Sequence, residues 1–187
     1  MKYVQPVRDK EKIQEMTEFL KEKNERDMIM WLTGIYTGLR ISDILTLRVR
    51  HVRNTNYISI VEQKTRNTKK NSQTKRILIV PKLRRALDIY IEGKGDNEYL
   101  FKSREGRNKP ITRVRAYEIL KEAAYELGLK EVGTHTMRKT FGYHIYQREK
   151  DVAMLQDIFN HSSPYITLKY IGVNQDAIDK TMKSIDY

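Results

Sequence analysis

Cysteine is absent from this sequence, which removes disulfides, thiolate–zinc sites and cysteine nucleophiles together. The absence fits a reducing compartment. Histidine is scarce, with four in 187 residues. No apolar run approaches the length of a membrane span, and the first residues, "MKYVQPVRDKEK", lack the apolar stretch of a secretory signal. The expected setting is a soluble, cytoplasmic one. Internal repeats and low-complexity segments are also lacking. No cluster of carboxylates accompanies the basic motifs, which argues against a metal-dependent nuclease and gives no reason to expect a metal or other cofactor.

What the chain has is positive charge. Thirty-six Lys and Arg against 24 Asp and Glu give a net charge of +12 and a pI near 9.7. A surface of this kind suits a polyanion, and nucleic acid is the common one. Acidic membrane lipid is the rival, but no strongly basic amphipathic helix stands out. With 39% hydrophobic residues, the chain can bury a core as one domain or a tightly joined pair.

Periodicity predicts a mostly helical α+β fold. "DKEKIQEMTEFLKEK" (9–23) places Ile13, Met16, Phe19 and Leu20 on one stripe. "RDMIMWLTGIYTG" is apolar nearly all round and reads as a buried helix ended by Gly38. Ser42 is expected to cap a helix carrying Ile44, Leu45 and Leu47. "YISIV" (57–61) and "ILIV" (77–80) read as a hairpin, and "EYLF" (98–101) as a third strand of one small antiparallel sheet. Thr112 starts a helix with Val114, Tyr117, Leu120, Ala124 and Leu127 on its apolar face. Further helices follow from Thr134, from Asp151 as a cap, and from Ser163–Pro164. The tail spaces Ile178, Met182 and Ile185 as a last stripe.

Four segments carry chemistry, each with a plainer reading beside it. In "THTMRKT", His135 and Arg138 are three apart and share a helical face, so both can converge on one anion; the plain reading is a helix cap and a solvated arginine. In "YTGLRIS", Arg40 is hemmed in by apolar residues and must pair with something; Asp43 or Glu62 would suffice as scaffold. "EQKTRNTKKNSQTKR" (62–76) places Lys64, Arg66, Lys69, Lys70, Lys75 and Arg76 in the hairpin turn, able to meet phosphates or simply to be solvated. In "NHSSPYITLKYIGV", His161 follows an apolar helix and Tyr170 lies a short helix further on. A tyrosine is a poor nucleophile at neutral pH unless cationic donors stabilise its phenolate.

"TGLRISD", "EQKT", "HTMRKT" and "NHSSPYITLKY" together resemble the tyrosine recombinases, or phage-type integrases, in order and approximate spacing. The resemblance covers nearly the whole chain (1–187), as a single catalytic domain. Most of the family carry an N-terminal helical domain; here at most residues 1–25 precede the core, so no such domain is expected. Phe159–Asn160 stands where Leu–Gly often precedes the histidine, and Met137 replaces a common leucine.

The resemblance implies cleavage and rejoining of DNA strands through a 3′-phosphotyrosine. Tyr170 would be the nucleophile, Arg40 and Arg138 the clamp on the non-bridging oxygens, His161 a further donor to them. His135 would accept the tyrosine proton, Lys64 would protonate the leaving 5′-oxygen, and Asp43 would support the site. Arg66, Lys69, Lys70, Lys75 and Arg76 would contact double-stranded DNA. The resemblance also implies a homo-oligomer on bacterial or phage DNA, with the tail stripe on a neighbouring protomer or on its own domain. The competing readings are a type IB topoisomerase and a non-catalytic DNA-binding module that kept the shape.

Overall fold

The computed structural model describes residues 4–61 and 74–185. Two helices open the fold, α1 (Lys10–Lys23) and α2 (Glu25–Thr37). Asn24 separates them: its backbone closes α1 on the Leu20 carbonyl while its side chain caps the N–H of Arg26. The apolar helix α2 is the axis of the core. Ile29, Met30 and Trp31 are wholly buried, and burying each such side chain is worth about 1.5–3 kcal/mol. Gly38, in the left-handed conformation at φ 63°, ends α2.

The helix expected from Ser42 is a single turn, α3 (Ile41–Ile44). Arg40 holds its N-cap position, without a side-chain cap bond. The chain turns off after Leu45 because Leu45 and Leu47 must both reach the core, where both are buried.

Strands β1 (Tyr57–Ile60) and β2 (Lys75–Leu78) form an antiparallel pair in which Tyr57 faces Leu78 and Ile60 faces Lys75. The second strand starts two residues earlier than expected, so Lys75 and Arg76 are part of it. Among the described residues the sheet has two strands, not three. "EYLF" pairs elsewhere: Leu100 N–H bonds the Leu47 carbonyl at 2.8 Å and Val49 N–H bonds Glu98 at 3.0 Å, around a single Arg48–Tyr99 bridge. A 3-10 turn at Val49–His51 stops that ladder from extending.

Helix α4 (Pro81–Tyr90) was not expected. Pro81 sits at its start, and Leu83, Leu87 and Tyr90 are its buried face. Helix α5 (Arg113–Glu126) begins at the expected cap, Thr112, which accepts from Arg115 N–H. Its buried face is Ala116, Ile119, Leu120, Ala123 and Ala124, whereas Val114 is 66% exposed and Tyr117 39%. The alanines allow close approach of helices, and that outweighs the larger side chains of the expected stripe.

Helices α6 (Thr134–Glu149), α7 (Val152–Phe159), α8 (Pro164–Ile171) and α9 (Val173–Lys183) complete the fold. Asp151 and Ser163 cap α7 and α8 as expected. Helix α6 packs on α2 through glycine: a Cβ on Gly34 would stand 2.4 Å from Met137 Sδ. Leu155, Phe159 and Ile171 form a second, smaller core against α6. Among the described residues, no helix is long and apolar enough to cross a membrane.

Candidate active site

The seam between the large core and the small C-terminal core gathers five of the predicted residues. Gly38 brings Arg40 together with Arg138. A Cβ there would lie 2.5 Å from the Phe141 ring of α6, so its lack of side chain lets the α2–α3 corner meet α6. Arg138, 3% exposed, donates from Nη1 to the Gly38 carbonyl and from Nη2 to the Phe159 carbonyl at 3.0 Å. Arg40 donates to the same Phe159 carbonyl at 3.4 Å. Two guanidinia are thereby held at the C-terminal end of α7, where the helix dipole favours cations. Asp43 lies buried on α3, one turn beyond Arg40.

The Phe159–Asn160 pair has a structural account. Phe159 is fully buried, with its ring 4.3 Å from the Arg138 guanidinium, 5.6 Å from the Tyr170 ring and 5.3 Å from that of His161. Asn160 takes the left-handed conformation at φ 51°, a position glycine commonly fills and asparagine tolerates. His161 N–H then closes the turn on the Gln156 carbonyl at 3.0 Å. Its Nδ1 is 3.1 Å from Thr167 Oγ1, which fixes the ring, and the ring lies 5.1 Å from Tyr170, edge to face.

Tyr170 is half-buried near the end of α8, its hydroxyl 3.4 Å from His135 Nδ1. Burial pushes the phenol above its ordinary value, while the charges of Arg138 and Arg40 and a hydrogen bond with Arg138 pull it back. His135 is exposed overall, yet desolvation of its ring lowers the imidazole below its ordinary value. Lys139, Arg138 and Arg40 push it the same way. A neutral imidazole therefore faces a protonated phenol, which is the starting state for general-base transfer.

Lys64, Arg66, Lys69 and Lys70 lie outside the described residues. Lys75 reaches from β2 to the Ile158 carbonyl, next to the acceptor shared by both arginines. Arg76 stacks on the Tyr57 ring at 4.4 Å. Among the described residues, no three His, Asp or Glu side chains are grouped as a metal ion would need.

One neighbour escaped the sequence reading. Lys139 follows Arg138 directly and lies one turn beyond His135, and it is only 5% exposed, with Nζ 5.2 Å from the Tyr170 ring centre. The i to i+4 spacing from His135 was its signal, but burial of a lysine cannot be read from spacing.

Residues 7–176 match the model described as "Phage integrase family". This chain belongs to that family. It is 51% identical over 177 residues to the probable integrase/recombinase YoeC of Bacillus subtilis, covering 95% of this chain and 94% of that protein. A tyrosine recombinase of Pseudothermotoga lettingae is 30% identical, over 91% of this chain but 59% of its own length. Among solved structures, XerA recombinase superposes with a TM-score of 0.71 at 19% identity, over 98% of this chain and 65% of that one. A lambda integrase dimer bound to a core site gives 0.68 at 14%, over 91% and 60%. The phage integrase chain thus spans nearly all of one relative and about two thirds or less of the others. Its small sheet and helical body are those of the family's solved structures.

Proposed function

We propose that this phage integrase family member is a site-specific DNA recombinase that cleaves and rejoins strands by transesterification. The observation that carries the reading is the Tyr170 hydroxyl at 3.4 Å from His135 Nδ1, beside two arginines that share one carbonyl. Tyr170 Oη attacks the phosphorus of a phosphodiester, and its proton passes to His135 Nδ1. The bond from phosphorus to the 5′-oxygen breaks, leaving a 3′-phosphotyrosine and a 5′-oxygen that takes a proton from Lys64. Arg40 and Arg138 stabilise the non-bridging oxygens, whose charge grows in the transition state, and their anchored guanidinia need no reorganisation to do so. His161, fixed by Thr167, adds a donor to the same oxygens. The covalent link conserves the bond energy, so rejoining needs no ATP.

The same reading places its action in the cytoplasm, on bacterial or phage DNA, as a homo-oligomer. The test uses nicked duplexes taken from a random-sequence library by their binding to the protein, with denaturing gels to detect the adduct. Wild type should trap covalent DNA, and Tyr170→Phe should bind equally and trap none. An adduct surviving in Tyr170→Phe sinks the assignment and points to Tyr165. Relaxation of supercoiled DNA without site preference would favour the topoisomerase reading.

A further inference from the structure

Lys139 has no part in the chemistry above, yet it is a buried cation at its centre. Its ammonium donates to the Val4 carbonyl at 2.7 Å. Val4 belongs to a strap, residues 4–8, laid along α6: Val7 N–H bonds Thr140 Oγ1 and the Val7 carbonyl meets His144 Nε2, both at 2.9 Å. So anchored, the ammonium lies 5.2 Å from the Tyr170 ring centre, within cation–π range, and one turn from His135 on the same helix.

We propose that Lys139 is a positioning residue for the cleavage step, seating the Tyr170 ring and keeping the His135 imidazole free of a proton while DNA is bound. The proposal rests on the recombinase reading.

Three cations act on His135: Lys139 and Arg138 from α6, and Arg40 from the α2–α3 corner. The group facing it from α8 is Tyr170. When a phosphodiester binds, its negative charge lies on Arg40 and Arg138 and offsets them at the imidazole. Lys139 faces the other way, toward Val4, so its charge is the one that persists in the complex. Burial of the ring comes first in lowering His135 and Lys139 next, so without Lys139 the imidazole would keep its proton to a higher pH and there have no lone pair for that of Tyr170. Around Lys139 itself stand Arg8 of the strap and Glu131 before α6; burial first, then Arg8, bring its ammonium down to about 8, with Glu131 opposing. It remains charged at neutral pH, where the reaction needs it.

Lys139→Met keeps the length of the side chain and removes the charge. Single-turnover adduct formation on the nicked duplex is measured against pH, with duplex affinity beside it. Affinity should stay constant while the acid limb moves to higher pH. The result is a several-fold rate loss at mildly acid pH that closes at mildly alkaline pH, and Lys139→Arg should restore the limb. An equal loss at every pH means packing alone and overturns the proposal. A second measurement needs no variant of Lys139: the His135 imidazole is titrated by NMR in Tyr170→Phe, free and bound to duplex. It should stay below an ordinary histidine in both; an ordinary or raised value on DNA overturns the proposal. If no duplex is ever captured by wild type, the recombinase reading fails, and titration of His135 in the free protein with and without Lys139→Met decides for or against Lys139 alone: an unchanged value overturns its part.

Discussion

Arg138 donates to the Gly38 and Phe159 carbonyls together, so one guanidinium joins the end of α2 to the end of α7. The residue proposed to clamp phosphate is also a strut across the seam between the two cores. Arg40 meets Phe159 from the other side at 3.4 Å.

Arg138→Ala should therefore lose stability as well as chemistry. Leaving buried carbonyls without a donor costs about 1–3 kcal/mol, and loss of one transition-state donor costs about 10²–10³-fold in rate. Arg138→Lys keeps the charge but not the planar fork that spans two carbonyls. It should recover neither property fully. Denaturant midpoints and single-turnover cleavage measure the two effects separately. A fully stable Arg138→Ala protein would contradict the strut.

The general acid can be found by sulfur substitution. An alkoxide leaves poorly without a proton, and general-acid help is worth about 10²–10⁴-fold, whereas a 5′-bridging sulfur leaves as thiolate. Lys64→Ala should cleave ordinary DNA slowly and a 5′-phosphorothiolate duplex at close to the wild-type rate. Lys75 reaches the Ile158 carbonyl beside the arginines, so it is the rival within the same hairpin. Rescue of Lys75→Ala but not of Lys64→Ala transfers the role to Lys75.

Truncation after Asn174 should leave a folded monomer. Helix α9 has no buried residue, and Ile178 and Met182 are 55% and 62% exposed, so the stripe does not cover its own core. What the cut removes is the Arg8–Asp176 ion pair, closed at 2.6 Å and about one third exposed on both sides. Pairs so exposed are worth up to about 1 kcal/mol. A midpoint loss of that size, with diminished assembly on DNA, is the expected result. Global unfolding of the truncated chain would return the stripe to the domain's own core.

Local chemistry was legible in the sequence. Caps at Thr112, Asp151 and Ser163 act over three residues, and the glycine at 38 ends α2 by its own left-handed conformation. The candidates Arg40, His135, Arg138, His161 and Tyr170 stood in ordered motifs, because each motif is one turn or one helix end. Tertiary structure decided what depends on neighbours distant along the chain. Whether 98–101 joined the hairpin depended on Leu47 and Val49 competing for its backbone. Which face of α5 went inside depended on how closely its neighbours could approach, and alanines won over Val114 and Tyr117. Phe159 with Asn160 became intelligible only once the ring was seen filling the site floor and the asparagine turning left-handed. Lys139 was decided last, since a lysine's charge is local to its residue while its burial, beside Tyr170 and under Val4, is set by the packing of three separate segments.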